Sequence, residues 1–516
     1  IKRTTRVLKE AAETADAAHD IPKAVDMYRA YLQFGGSDPE AQVRFALLTA
    51  EIAEGPDANW RQRRNALNAL DESIRRDPTN DKIRRKLLDY SLMFRLFPDA
   101  KTHADELLVK ATRARDADPK NADHAKELGK LLTMLAVCQV GLDKEGDAVA
   151  SLKSAIEADP RNIDAYSYRA QLLREKLEDK DGADRVAETM IQNNPEDVNA
   201  YLQHARYVQG RRIGISETES SKLAVARRKD ITKALELDPK NADAILMQAQ
   251  VYIEDKKLSE ARELLAEGVK NNPQDQRIRI ALVSSELGHG NAAEAQKVLS
   301  EGLKGKPDDP NYRIYQIELE LDKGDLASVR KQIDELERIE SVSREFIDYL
   351  RARALFSEKK WAEASRELTR VRSSMPDAQK AGIDMILGRC YEMLGQPERQ
   401  LEVYERVLAT QPNSVSAQIG MSMALLASGK LDEARKRLEA VLATVGMEKF
   451  VENAALRNSL ISLLVDFNSK LPEKDRDWSK INELVVATEK AQPDKVETAL
   501  LKAQVAERMN QLGEAR

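Results

Sequence analysis

Along this chain apolar residues recur at steps of three and four, pause at a glycine or a polar residue, and resume. Ile245, Ala249 and Tyr252 mark one stripe, and Leu258, Ala261 and Leu265 the next. That spacing places side chains on one face of an α-helix, so the two stretches predict a pair of short amphipathic helices. Inside the pairs the break falls at Gly290, Gly324, Gly395 and Gly429, where the chain must reverse sharply and a Cβ would obstruct it. Between the pairs stands proline, which costs about 3 kcal/mol or more inside a helix. Eleven of the 17 prolines occupy one recurring phrase, an acid or amide, then Pro, then a polar restart: DPTN from Asp77, DPKN from Asp118 and Asp238, DPRN from Asp159, NPED from Asn194 and NPQD from Asn272. From Pro39 through Pro78, Pro119, Pro160, Pro195, Pro239, Pro273, Pro307, Pro376 and Pro412 to Pro493 the spacings are 39, 41, 41, 35, 44, 34, 34, 69, 36 and 81 residues. The shortest is 34, and 69 is close to twice that. A fixed period in this range predicts stacked copies of one supersecondary unit.

Counting each unit so that its proline is residue 32 brings the small residues into line. The eighth position holds Ala136, Ala249, Ala352, Gly388, Ser422 and Ala503, and the twentieth Ala66, Ala148, Ala183, Ala261, Ala295, Ala364, Ala434 and Ala515. Small side chains at two fixed positions let paired helices approach closely, because a dense interior penalises each extra methylene. Larger residues fill the twenty-fourth position: Leu70, Leu152, Leu265, Leu299, Leu368, Tyr404 and Leu438. This pattern, with an aromatic near position eleven at Tyr252 and Tyr391, resembles the tetratricopeptide repeat family over nearly the whole chain. The closest units are 242–275, 276–309, 345–378 and 381–414.

The resemblance implies an all-α fold, a right-handed superhelical solenoid of antiparallel helix hairpins, with about thirteen repeats and a truncated one. We expect a solenoid of about twelve hairpins over residues 1–446, with an insertion near 210–221, and an irregular hairpin plus a truncated repeat over 447–516. The pattern lapses at 310–344, where Val329 replaces the expected Ala and no proline closes the unit, and again at 450–492, which reads as a long irregular helical pair. Ile1 is not an initiator Met, and Ala515 sits at the twentieth position of a unit just begun, so both ends are expected to be cuts through a longer protein.

Composition agrees with many short helices, each with one solvated face: 33% of residues are charged and 5% aromatic. A net charge of −5 and a pI near 5.9 argue against a nucleic-acid surface, which would show a basic stripe. No window approaches the roughly 18 apolar residues of a membrane span. The basic start at Lys2, Arg3, Arg6 and Lys9 reads as an ordinary helix face, with the flank of a membrane tether outside the chain as the alternative. Cys138 and Cys390 lie too far apart in a linear stack to pair and are expected to be buried free thiols.

Catalytic constellations are missing. His19, His103, His124, His204 and His289 are scattered, with no spacing that would hold a metal, and no phosphate-binding loop or nucleophile elbow occurs. We therefore expect no enzyme activity, no cofactor and no metal. What remains is surface. In this family the first helix of each hairpin lines the concave face, and its outward positions here are Phe346, Tyr349, Arg353 and Phe356, then Met385, Arg389, Glu392 and Met393, then Ile419, Met423 and Leu426. Aromatic, Met and Arg residues are enriched at binding hot spots, whereas packing between repeats would account for the same residues. If they form a groove, Arg353→Ala or Arg389→Ala is expected to weaken binding without unfolding the chain.

Two other stretches stand out, the insertion GRRIGISETESS from Gly210 and EGPDANWRQRR around Trp60, each either a partner contact or a tolerated solvated loop. No three consecutive units carry the Lys/Asn, Asn, Lys/Arg arrangement that clamps a chaperone's terminal carboxylate in some family members. The function expected is a scaffold that binds a protein or peptide segment. The resemblance places it in bacterial envelope assembly, secretion or exopolysaccharide export. The alternative is the recruiting arm of a larger enzyme, such as a glycosyltransferase.

Overall fold

The computed structural model describes residues 2–55, 58–211, 216–339, 341–445, 450, 454–491 and 496–508. Ile1, the insertion residues 212–215, Pro493, Ala515 and Arg516 lie outside the described residues. Every regular element among those described is helical, and the chain forms two compact units, Ile1–Val298 and Leu299–Arg516.

In the first unit α1 (Lys2–Ala17) precedes α2 (Ile21–Gln33), α3 (Pro39–Glu54) precedes α4 (Trp60–Arg76), and α5 (Asp81–Met93) precedes α6 (Phe97–Ala117). The series continues with α7 (Ala122–Val140) and α8 (Glu145–Ala158), α9 (Ile163–Glu175) and α10 (Lys180–Asn193), and α11 (Val198–Gly210) and α12 (Glu217–Leu237). It closes with α13 (Ala242–Glu254), α14 (Leu258–Asn271) and α15 (Gln276–Gly288), and the unit boundary falls within α16 (Ala292–Gly305). The second unit holds α17 (Pro310–Lys323) and α18 (Leu326–Glu337), α19 (Arg344–Ser357) and α20 (Trp361–Arg372), α21 (Asp377–Met393) and α22 (Pro397–Thr410), and α23 (Val415–Ala427) and α24 (Leu431–Thr444). Beyond these come α25 (Ala454–Lys470), a 3₁₀ turn over Glu473–Asp475, α26 (Ser479–Ala491) and α27 (Val496–Arg508). Within each unit successive helices pack against one another.

The proline phrase is a joint with a defined division of labour. Its first residue ends a helix: Asp77, Asp118, Asp159 and Asp238 are the C-caps of α4, α6, α8 and α12. The carboxylate then turns the chain by accepting from the amide two residues on, Thr79 N at 3.2 Å, Arg161 N at 3.1 Å and Lys240 N at 3.0 Å. Its last residue starts the next helix, with the Asn80, Asn162 and Asn241 side chains accepting from Ile83 N, Ala165 N and Ala244 N at 3.2, 3.0 and 3.1 Å. Each such cap contributes about 1 kcal/mol.

The tight turn inside the hairpin uses a left-handed residue. Gly290, Gly324, Gly395 and Gly429 take φ of 76, 73, 63 and 75°. At the equivalent turns His19, Arg95, Asp143, Glu178, Lys256 and Lys359 adopt φ between 56 and 61°, although a side chain there costs roughly 1–2 kcal/mol.

The core follows the register. Ala66, Ala148, Ala183, Ala261, Ala295 and Ala364 are fully buried and Ala434 nearly so. The large residues of the twenty-fourth position are buried beside them, Leu265, Leu299 and Leu368 completely. Tyr404 takes the same place with a bulkier ring. Its ring lies where an added Cβ on Gly388 or Gly420 would approach to 2.5 or 2.3 Å, so two glycines on α21 and α23 make the room it occupies. Val329, the departure from the small-residue rule, is also fully buried. Cys138 and Cys390 are free and buried, and burial pushes each thiol up to about 11.

Candidate partner-binding surface

The outward positions of α19 form a ladder of aromatic and guanidinium groups. Phe346 and Tyr349 meet with centroids 5.9 Å apart, and the Arg353 guanidinium lies 5.8 Å above the Tyr349 ring. Arg353 also grips Glu318 of α17 with both arms, one hydrogen bond measuring 2.6 Å. Burial opposes the charge on Arg353, but the Glu318 carboxylate outweighs it and raises the guanidinium pKa. Phe356 meets the edge of Trp361 at 5.0 Å and carries Arg389 of α21 on its face at 5.2 Å. Phe346, Tyr349 and Phe356 are half-buried against the hydrophobic cores on either side of α19.

These residues are therefore brought together, but they divide by role. Phe346, Tyr349, Arg353 and Phe356 spend much of their surface on neighbouring repeats. Met385 and Met423 are partly buried against the core of the α22–α25 region, and Ile419 and Leu426 are buried at 4%. Arg389, Glu392 and Met393 stay open to solvent, Met393 at 58% exposure.

Beside the open residues lies a cleft of about 380 Å³, lined by Glu392, Gln396, Pro397, Met423, Leu426, Asp466 and Lys470 among others. Its lining mixes apolar residues, Pro397, Met423, Leu426 and Ala427, with polar and charged ones, as binding clefts commonly do. Burial raises the Glu392 carboxyl, an effect the Arg389 guanidinium partly offsets. The Lys470 ammonium donates to the Leu426 carbonyl at 3.2 Å and so ties α25 to the end of α23. Asp466 and Lys470 carry no signal in the sequence, because α25 belongs to the irregular pair that has no proline register. Only the three-dimensional packing of α25 on α23 brings them to the cleft.

The insertion is anchored at its base. Tyr207 donates to Asp184 at 2.5 Å, Arg211 pairs with the same carboxylate at 3.0 Å, and Ser216 caps α12. Among the described residues no three His, Cys, Asp or Glu side chains gather as a metal site, and no helix is long and apolar enough to cross a membrane. His204 is held by Asp230 at 2.7 Å.

Two family models match the chain. One, described as protein kinase G tetratricopeptide repeat, covers residues 301–456, and another, tetratricopeptide repeat, covers 228–284. No curated protein matches. Among solved structures, yeast Tom70 is 13% identical with a TM-score of 0.41, over 99% of each chain. The anaphase-promoting complex hetero-tetramer Cut9–Hcn1 is 12% identical with a TM-score of 0.37, over 89% of this chain and 96% of that one. A tetratricopeptide repeat protein from Parabacteroides merdae is 18% identical with a TM-score of 0.32, over 57% and 92%. With paired helices, buried alanines at the twentieth position and proline joints between the pairs, the chain is a tetratricopeptide-repeat protein.

Proposed function

We propose that the chain is a non-catalytic scaffold that binds a protein or peptide segment along the first-helix face of its second unit, centred on Arg389, Met393 and the adjoining cleft. Tetratricopeptide repeats are protein-interaction modules, and a preformed surface of this kind binds through a few anchors set in a rigid frame. The observation that carries the reading is that Arg389 and Met393 are exposed on α21, the helix whose Glu392 lines a cleft shared with α23 and α25. Phe346, Tyr349, Arg353 and Phe356 hold this surface in place, and Met385 and Met423 supply its adaptable apolar part. A setting in bacterial envelope assembly or export is carried over from the resemblance and belongs to the same proposal.

The test is affinity capture from the source organism with the intact chain, repeated with Arg389→Ala/Met393→Ala. One protein captured by the wild type is expected to be lost from the variant while the helical circular dichroism stays unchanged. Equal recovery of every captured protein would end the proposal.

The kinase-named match over 301–456 favours a second reading, in which the array is the recruiting arm of an enzyme with its catalytic domain on the same polypeptide. The intact mass of the protein isolated from its source decides it: a polypeptide of only these 516 residues excludes that reading.

A further inference from the structure

The first unit exposes a second surface, independent of the cleft, where consecutive hairpin turns meet. Trp60 opens α4 and remains 59% exposed, although its ring lies 4.5 Å from that of Phe94 in the α5–α6 turn. Met93, beside Phe94, is 43% exposed. The Arg64 guanidinium covers Phe94 at 5.4 Å, and Arg61 and Arg95, the chain neighbours of Trp60 and Phe94, are exposed. The first turn of α4 contains no acid, so Arg61 stands at the positive end of the helix dipole, where carboxylates are favoured, with Arg64 one turn further on.

Exposed arginines elsewhere in this unit are of both kinds, paired and unpaired, and Arg3, Arg113, Arg161 and Arg185 stand singly without an ion pair among the described residues. Arg29, Arg44, Arg75, Arg76 and Arg85 each pair with a carboxylate. Arg61, Arg64 and Arg95 have no ion-pair partner among the described residues. The exposed Trp60 ring beside half-buried Phe94 costs hydration, and among the described residues Arg61, Arg64 and Arg95, near these two rings in the chain, have no carboxylate partner. Both are relieved by the same occupant, one that brings an apolar ring and carboxylates together.

We propose that Trp60, Phe94, Arg61, Arg64 and Arg95 form a docking surface for an acidic segment of a partner protein that carries an aromatic or large aliphatic side chain. Exposed rings with arginines also suit single-stranded nucleic acid. The charge here is one compact cluster on a chain of net charge −5, without the basic stripe that tracks a phosphate backbone, and that favours the peptide.

The experiment selects peptides from a random displayed library on the full chain, with counter-selection on Arg61→Glu/Arg64→Glu, which leaves both rings in place. Recovered sequences are expected to be rich in Asp and Glu around an aromatic residue. Their synthetic forms should bind the wild type at least ~10-fold more tightly than the variant, the scale of a single hot-spot contact, and should weaken as salt is raised. Trp60→Ala, read at matched helical circular dichroism, should lose a similar factor. Arg389→Ala/Met393→Ala should bind these peptides like the wild type, which separates this surface from the cleft. The proposal is overturned if no peptide is recovered, if the peptides lack acids, if they bind the charge-reversed variant equally, or if oligodeoxythymidine binds more tightly with the same variant dependence.

Discussion

Gly420→Ala should reverse the sign of its effect when Tyr404 is replaced by leucine. A Cβ at position 420 would lie 2.3 Å from the Tyr404 ring, whereas carbon atoms in contact sit roughly 3.5–4.0 Å apart. The ring cannot retreat, since a Cβ on Gly388 would already be 2.5 Å from it and Tyr404 is 2% exposed. Overpacking of a buried site costs about 1–3 kcal/mol, and this geometry belongs at about 3. Alanine recovers about 1 kcal/mol over glycine within a helix, leaving a net loss of about 2 kcal/mol from these two magnitudes. In a Tyr404→Leu background, with the residue that other repeats use here, the clash disappears and only the gain of about 1 kcal/mol remains. The coupling between the two positions is then about 3 kcal/mol, within the range for residues in direct contact. Repeat arrays unfold in parts, so the measurement should be local: amide hydrogen exchange of α22 and α23 in the four proteins of the cycle. The coupling corresponds to about two orders of magnitude in protection at tenfold per 1.4 kcal/mol. Equal effects of Gly420→Ala in the two backgrounds would refute the claim that these glycines exist to seat the ring.

Gly429→Ala tests backbone conformation alone, because nothing lies within 4 Å of the added Cβ and φ is 75°. It should cost about 1 kcal/mol, and Lys256→Gly, at φ 58°, should gain a few tenths by the same logic; local exchange rates of the adjoining hairpins read both. Asp384 is 1% exposed and held by Arg372 Nε at 2.8 Å and Arg406 Nη2 at 2.7 Å. Asp384→Ala should destabilise α20–α22 by about 3 kcal/mol, the lower end for breaking a buried pair, because both arginines keep some access to water; urea unfolding followed by exchange in these helices should show it. With both thiols pushed up to about 11 by burial, about one in a thousand is ionised at pH 8. Ellman's reagent should therefore report two thiols only after denaturant is added, and rapid reaction of the native protein would contradict their burial.

The sequence made the repeats legible because proline, glycine and alanine report on backbone and volume without reference to distant partners. The joint from Asp77 to Asn80 could be recognised from four letters, since its caps are local bonds. The left-handed turns were half legible: Gly290 announces itself, but Lys256 adopts the same conformation, at the turn between packed α13 and α14, with no residue signal for it. The binding face was legible as a helix side and no further. Register places Arg353 and Arg389 on equivalent positions, yet Arg353 is committed to Glu318 and Arg389 is not, a difference that depends on the neighbouring repeat. Asp466 and Lys470 were invisible, because α25 lies where the proline register lapses.

The joints have a consequence for how such a chain changes over time. Each Asp-Pro-x-Asn joint finishes one helix and begins the next within four residues, so the two helix ends it links carry their own local caps. A whole repeat can be duplicated or deleted between two joints without orphaning a backbone amide. Array length is therefore free to drift in evolution, while a substitution within a joint affects two helices at once.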